Sequence, residues 1–241
     1  WNFKAGGAAV ANTNGTINSQ VSANNTLGFS IVGYTGNGST SATIGHGLDA
    51  APELVLIKNI DQATAWSAVQ LPQQAVGNLN TNNAMTFSYY LGNTTSSVLG
   101  FTSQNNVWNQ SSSNHIAYCF TSKTGFSKVG SYTGNASTNG PIVQTGFQPA
   151  FVMIKKTSAN DDWFMFDDKR SPTNSRQKYI LANSSNAEAD YGNPFLNIYT
   201  NGFQPVTTSG AINSGDYIYL AFAADGSTAT PSLANSFATK T

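Results

Sequence analysis

The feature that most constrains this chain is that its second half repeats its first. The segment GFSIVGYTGNGS at 28–39 returns as GFSKVGSYTGNAS at 125–137, with one extra residue. GLDAAPELVLIKN at 47–59 returns as GFQPAFVMIKKT at 146–157. There Pro149 follows Pro52, and Lys155 follows Lys58, at the offset of 97 that also separates Trp163 from Trp66. GFTSQNNVWNQSSSNHIAYCF (100–120) pairs with GFQPVTTSGAINSGDYIYLAF (202–222). Self-similarity at a fixed period marks one structural unit used more than once. Two modules are therefore expected, at 28–120 and 125–222. Only residues 121–124 join them, and so short a link holds neighbours in a fixed relation, as in a rod.

The doubled Tyr-Thr-Gly-Asn is either a ligand-gripping loop or a structural joint. A shared ligand loop would keep matching chemistry on both flanks. GSTSATIGHG and ASTNGPIVQTG share little beyond turn formers, so the sequence favours a joint. Gly36 and Gly134 are expected to supply a positive φ at that turn, with Asn37 and Asn135 tolerating one too.

Inside each module the signals are all β. GFSIVGY, ELVLIKN, AWSAV, AMTFSYYL and HIAYCF are short runs rich in Val, Ile, Phe and Tyr, bounded by Gly, Asn, Pro or Ser. The fold class expected is all-β: two tandem antiparallel β-sandwich modules, jelly-roll-like, each of about seven or eight strands. Single helical turns are the most that SSNAEADYG (184–192) and SLANSFATK near the C-terminus could hold. Residues 1–3, WNF, look like the closing strand of a preceding module. Residues 4–27 read as a small-residue insertion with a hairpin at NTNG (12–15), and 223–241 read as a tail. The chain starts at Trp1 without Met, as expected of a processed product or a piece of a longer protein.

The polar surface of such a chain must be built almost without charge. Charged residues make up 9% of the 241, with 11 Lys and Arg against 11 Asp and Glu, where about 25% is usual. A net charge of zero offers no basic field for nucleic acid or an anionic membrane. No apolar run reaches the roughly 18 residues of a membrane span, and no membrane insertion is expected. Asn, Ser, Thr and Gly must supply the surface, which suits turns and sugar-like contacts. One cysteine, Cys119, forbids an internal disulfide, and its place in HIAYCF marks a buried small side chain.

Candidate chemistry is thin. NDDWFMFDDKR carries Asp161, Asp162, Asp167 and Asp168, weak candidates for a carboxylate pair or a Ca²⁺ site. The simpler reading makes 163–166 an apolar strand whose ends the aspartates solvate, with Asp167 and Arg170 able to pair across a turn. Module 1 has only Asp61 at the equivalent place. His46, in GHG, is replaced by Thr145 in module 2, and His115 is the only other histidine. Two lone histidines make neither a metal signature nor a triad. Tyr89, Tyr90, Trp108, Tyr191 and Tyr199 lie in polar surroundings where an aromatic face stacks on a sugar ring. No P-loop, dinucleotide fingerprint, G-x-S-x-G or H-E-x-x-H is present. The sequence names no catalytic residue, cofactor or metal.

GYTGNGS, then TIGHGLDAAPELVLIKN, then a Trp strand and a closing YCF or YLAFA, resembles a repeated module of large virion proteins. These are encoded by marine tailed phages of cyanobacteria and other abundant ocean bacteria. WNFKAGGAA at 1–9 is similar to the joint that leads from one copy to the next. The resemblance runs from residue 1 to about 224, and implies virion association without any catalytic residue. Module 2 has QTGFQP where module 1 keeps GHGLDAAP. Two functions follow as expectations. One is a structural component on the virion surface: a tail or head fibre segment or a capsid-decorating protein. Its partners would be other copies of itself, a trimer among the options, and other virion proteins. The other is a carbohydrate-binding module that attaches the particle to a host-surface glycan.

Overall fold

The structure, a computed structural model, describes residues 5–103 and 105–223. The strand remnant expected at 1–3 lies outside the described residues. So does the expected tail, except for Ala223, which ends the last strand. Residues 5–79 with 86–122 cluster into one compact unit, and 80–85 with 123–223 into a second. Both are all-β, with antiparallel sheets.

The first unit holds β1 (Val10–Asn12), β2 (Ser19–Asn24), β3 (Phe29–Thr35), β4 (Thr43–Gly45), β5 (Leu54–Asn59), β6 (Ser67–Gln70), β7 (Ala75–Asn78), β8 (Thr86–Phe87), β9 (Val98–Gly100) and β10 (Asn114–Phe120). Its large sheet runs β1-β2-β3-β10-β5-β6-β7-β8, and β4 pairs with β9 in a small second sheet. The hairpin in the 4–27 segment is β1 with β2, in register from Val10↔Val21 to Asn12↔Ser19. Of AMTFSYYL only Thr86 and Phe87 form strand, because the carbonyl of Tyr89 turns back to the N–H of Gly92 at 3.3 Å.

The second unit holds β11 (Ser127–Asn135), β12 (Val143–Gln144), β13 (Pro149–Lys156), β14 (Trp163–Asp167), β15 (Lys178–Leu181), β16 (Ala189–Asp190), β17 (Leu196–Tyr199), β18 (Gly202–Pro205), α1 (Gly210–Asn213) and β19 (Ser214–Ala223). Its sheets run β11-β19-β13-β14-β15-β16 and β12-β18-β17. The order β3-β10-β5-β6-β7-β8 of the first unit corresponds to it strand for strand. In place of the helical turn expected at 184–192, the chain forms the two-residue edge strand β16. Tyr179 pairs with Ala189 and Lys178 with Asp190, and the Lys178 ammonium meets Glu188 at 3.1 Å. Helical turns form elsewhere: a 3-10 turn at Leu71–Gln73, and α1, capped where the Ser209 hydroxyl accepts the Ala211 N–H at 3.2 Å.

In each unit the small sheet closes the core against one face of the large one, a β-sandwich-like arrangement. Ile44 and Leu99 of the small sheet share a buried cluster with Val32, Val55, Ile57 and Ala117. In the second unit Val143, Leu196, Ile198 and Phe203 do the same with Val152, Ile154 and Phe166. In the first unit the central strands β3, β5 and β10 alternate buried and half-buried positions, whereas β13 reads as a continuous apolar run. All of β13 from Pro149 to Lys155 is buried.

The Tyr-Thr-Gly-Asn joint has the same construction in both units. Tyr34 donates its hydroxyl to the carbonyl of Trp108, and Tyr132 to that of Ile212, each at 2.6 Å. The next residue along each returning loop is a fully buried asparagine, Asn109 or Asn213. Asn109 accepts the Asn37 N–H at 2.9 Å and donates to the Asn37 side chain at 3.1 Å and the Ser39 carbonyl at 2.8 Å. Asn213 accepts from the Asn135 N–H at 3.2 Å and donates to the carbonyls of Ser137 at 2.6 Å and Thr207 at 2.7 Å.

The positive φ of the joint falls one residue past the asparagine, on Gly38 (72°) and Ala136 (55°), rather than on Gly36 and Gly134. Asn37 and Asn135 instead accept the N–H two residues on, at 2.9 and 3.0 Å. Gly36 and Gly134 are required for closeness. A Cβ on Gly36 would sit 2.2 Å from the Gln110 carbonyl oxygen, and one on Gly134 would sit 2.3 Å from the Asn213 carbonyl carbon.

A buried amide that holds several loop groups cannot be replaced by water, so truncating it strands all of them at once. Asn109→Ala and Asn213→Ala are each expected to lower unfolding stability by about 2–4 kcal/mol in denaturant titrations. Asn37→Ala, which keeps the buried amide, is expected to cost less than Asn109→Ala.

Candidate functional site

The acidic cluster is divided by the strand it flanks. Asp162 precedes β14 and Asp167 ends it. At about 3.3 Å of rise per residue they stand roughly 16 Å apart, beyond the roughly 5–9.5 Å of glycosidase carboxylate pairs. Each carboxylate has local work. Asp161 accepts the Asp162 N–H at 2.9 Å, and Asp162 accepts the Asn183 amide at 2.7 Å. Asp167 caps the turn after β14 through the N–H groups of Lys169 (2.9 Å) and Arg170 (2.8 Å), and pairs with the Arg170 guanidinium at 2.7 Å. Asp168 meets the Lys169 ammonium at 3.3 Å. Among the described residues no three His, Cys, Asp or Glu side chains are grouped to hold a metal ion.

Beside this cluster lies the lysine that the repeat sets against Lys58. Lys155 is fully buried, and its ammonium donates to the carbonyls of Asp161 and, at 3.2 Å, Asn82. Lys58 does the same in the first unit, donating to the carbonyls of Gln62 at 3.0 Å and Thr64 at 2.8 Å. In both, a lysine six residues before a loop carbonyl clamps the turn after a central strand. Burial pulls the Lys155 pKa down to about 8, against the opposing pull of Asp161 and Asp162.

The histidines and the cysteine are interior parts. His46 is fully buried, accepts the Leu48 N–H on Nδ1 at 3.1 Å and lies 3.1 Å from the Thr95 carbonyl through Nε2. At the equivalent place the Thr145 hydroxyl donates to the Phe147 carbonyl at 2.6 Å. His115 stacks on Tyr34 at 5.1 Å, as Tyr217 stacks on Tyr132 at 4.9 Å. Burial holds both histidines below the ordinary imidazole range and pushes the Cys119 thiol up to about 12.

The five aromatic candidates part company. Trp108 is buried in the first core because its loop folds back between the sheets, so it offers no face to a ligand. Tyr90 is packed on it at 4.5 Å and is half-buried. Tyr199 is partly exposed, and its hydroxyl is bound to Asn197 and Gln204, each at 2.9 Å. Tyr89 and Tyr191 remain, and each stands at a cleft of its own unit. Tyr89, 75% exposed, borders a space of about 440 Å³ with Pro72, Gln74, Asn93 and Thr94. Gln74 (φ 55°) and Asn93 (φ 59°) there hold left-handed backbone. Tyr191 borders a space of about 520 Å³ with Thr138, Asn193 and Thr208. No helix among the described residues is long and apolar enough to cross a membrane.

The buried lysine sets a pH dependence whose sign follows from linkage. Between about pH 8 and 10 the unfolded chain keeps a proton on Lys155 that the folded chain has released, so stability rises with pH. From about pH 9 the buried Cys119 thiol, raised to about 12, holds its proton in the folded state only and offsets that rise. Above about 10 the buried tyrosines Tyr34, Tyr132 and Tyr217, whose pKa values are raised by burial, do the same, and stability falls. Denaturant titrations from pH 7 to 11 are expected to show a rise from about pH 8, a level maximum between about pH 9 and 10, and a fall beyond it. Lys155→Met is expected to remove the rising limb and leave the falling one.

No curated protein and no solved structure matches the chain. Residues 1–225 match the family model described as a domain of unknown function (DUF7483), and the chain belongs to that family.

Proposed function

We propose that the protein is a non-enzymatic structural component of a phage particle, built from two copies of one antiparallel β-sandwich module of jelly-roll type. One observation carries this reading: both units commit the same polar side chains to the same internal joints. Tyr34 and Tyr132, Asn109 and Asn213, and Lys58 and Lys155 all bind loop main chain. Paired ligand-binding modules would turn their shared polar residues toward a cleft, and these are turned inward. The carboxylates support the same reading, since Asp161, Asp162, Asp167 and Asp168 serve turns and cation pairs.

A single family model covers both units. A chain with 9% charged residues and no net charge has little like-charge repulsion to oppose packing against further copies of itself. On this reading the protein sits on the exterior of the particle, with its own copies and neighbouring virion proteins as partners. Light scattering on the purified chain is expected to give one closed oligomer, a trimer for example. Antibodies raised against it are expected to decorate phage particles in electron micrographs. A strict monomer whose antibodies label no particle would overturn the proposal.

A further inference from the structure

The Tyr191 cleft of the second unit goes beyond a structural role. It is lined by Thr138, Tyr191, Asn193, Pro194, Thr207 and Thr208 together with Val206, and no charged side chain lines it. The volume of about 520 Å³ falls within the range of roughly 300–1,000 Å³ typical of small-ligand sites. The Tyr191 ring lies parallel to the buried Phe195 ring, with centroids 4.2 Å apart and planes 10° apart. One face is thereby fixed to the core, while 38% of the residue stays exposed.

The loop is held before any ligand arrives. The Tyr191 N–H donates to the Gln177 carbonyl at 3.0 Å, and the Gly192 N–H to the Asp190 carboxylate at 2.8 Å. Gly192 takes the left-handed φ of 74° that this bend needs. Such preorganisation removes part of the ordering cost of binding. The side chains of Thr138, Asn193 and Thr208 make no hydrogen bond within the described residues, while the Thr207 hydroxyl accepts the Ser209 N–H at 3.1 Å. A rigid aromatic face beside several unspent hydroxyl and amide groups, in an uncharged wall, matches a ring with apolar C–H groups on one side and hydroxyls at its rim. We propose that this cleft is a subsite for an uncharged pyranose sugar.

Ligand-observed saturation-transfer NMR on the full chain tests this with three probes: the methyl glycosides of mannose, galactose and glucose. At least one is expected to bind. Tyr191→Ala is expected to weaken it about tenfold, the equivalent of about 1.4 kcal/mol of lost stacking and contact. Tyr191→Phe, which keeps the ring, is expected to bind as the parent does. Asn193→Ala leaves the Phe195 stack untouched and is also expected to weaken binding. Tyr89→Ala, in the other unit, is expected to change nothing. Saturation transfer from none of the three glycosides would overturn the proposal, as would a signal unchanged in both Tyr191→Ala and Asn193→Ala. The oligomer and particle-labelling results are independent of either outcome.

Discussion

The rest of the structure depends on one interaction: a buried, uncharged amide that gathers the ends of a long loop. Asn109 and Asn213 each tie the Tyr-Thr-Gly-Asn turn to a segment more than seventy residues later in the chain. A buried polar group is tolerated only when its hydrogen bonds are made, and these two make theirs to main chain and to the asparagine side chain of the turn. The amide thus satisfies several loop groups that no sheet ladder reaches. Gly36 and Gly134 leave the room for it, since any side chain there would strike the returning loop. The tyrosine before each joint packs on the core with its ring and fixes the loop with its hydroxyl.

Scarcity of charge explains why amides and hydroxyls carry so much of the architecture. With few ion pairs to draw on, the chain closes its turns through Asn, Ser and Thr side chains acting on nearby N–H groups. The charges that are present serve the same end. Lys58 and Lys155 clamp loop carbonyls, and Asp167 caps a turn while pairing with Arg170. Burial of a lysine is costly unless its donors are used, and the lowered pKa of Lys155 records that cost. The same few contacts recur in both units because the same strand order presents the same loop ends to be tied.

Much of the fold was legible before any coordinates. Alternating and continuous apolar runs located β3, β5, β6 and β10, because side-chain period and burial are local properties of the chain. Other parts were hidden for identifiable reasons. Pairing 100–120 with 202–222 without a gap sets Asn109 against Ala211, whereas the joints equate it with Asn213. The stretch from the asparagine to the ring stacked on the joint tyrosine is two residues longer in the first unit, Asn109 to His115 against Asn213 to Tyr217, and that offset concealed the key amide. Trp108 lies in a polar stretch that reads as exposed loop, yet the loop folds back and buries it. His115 and Tyr217 share no chemistry at the sequence level. Their equivalence is one of shape, each ring stacking on the tyrosine of its own joint.

The sequence alone determined that the chain is all-β, that it carries one pattern twice, and that Tyr-Thr-Gly-Asn belongs to that pattern. Those facts are written in composition and spacing, which need no partner to be read. Only the tertiary structure decided which residues hold the joint, why its glycines are glycine, and which tyrosines keep a face toward solvent. Each of those depends on segments tens of residues apart meeting within hydrogen-bond or van der Waals distance. Packing, not local preference, chooses which segments meet.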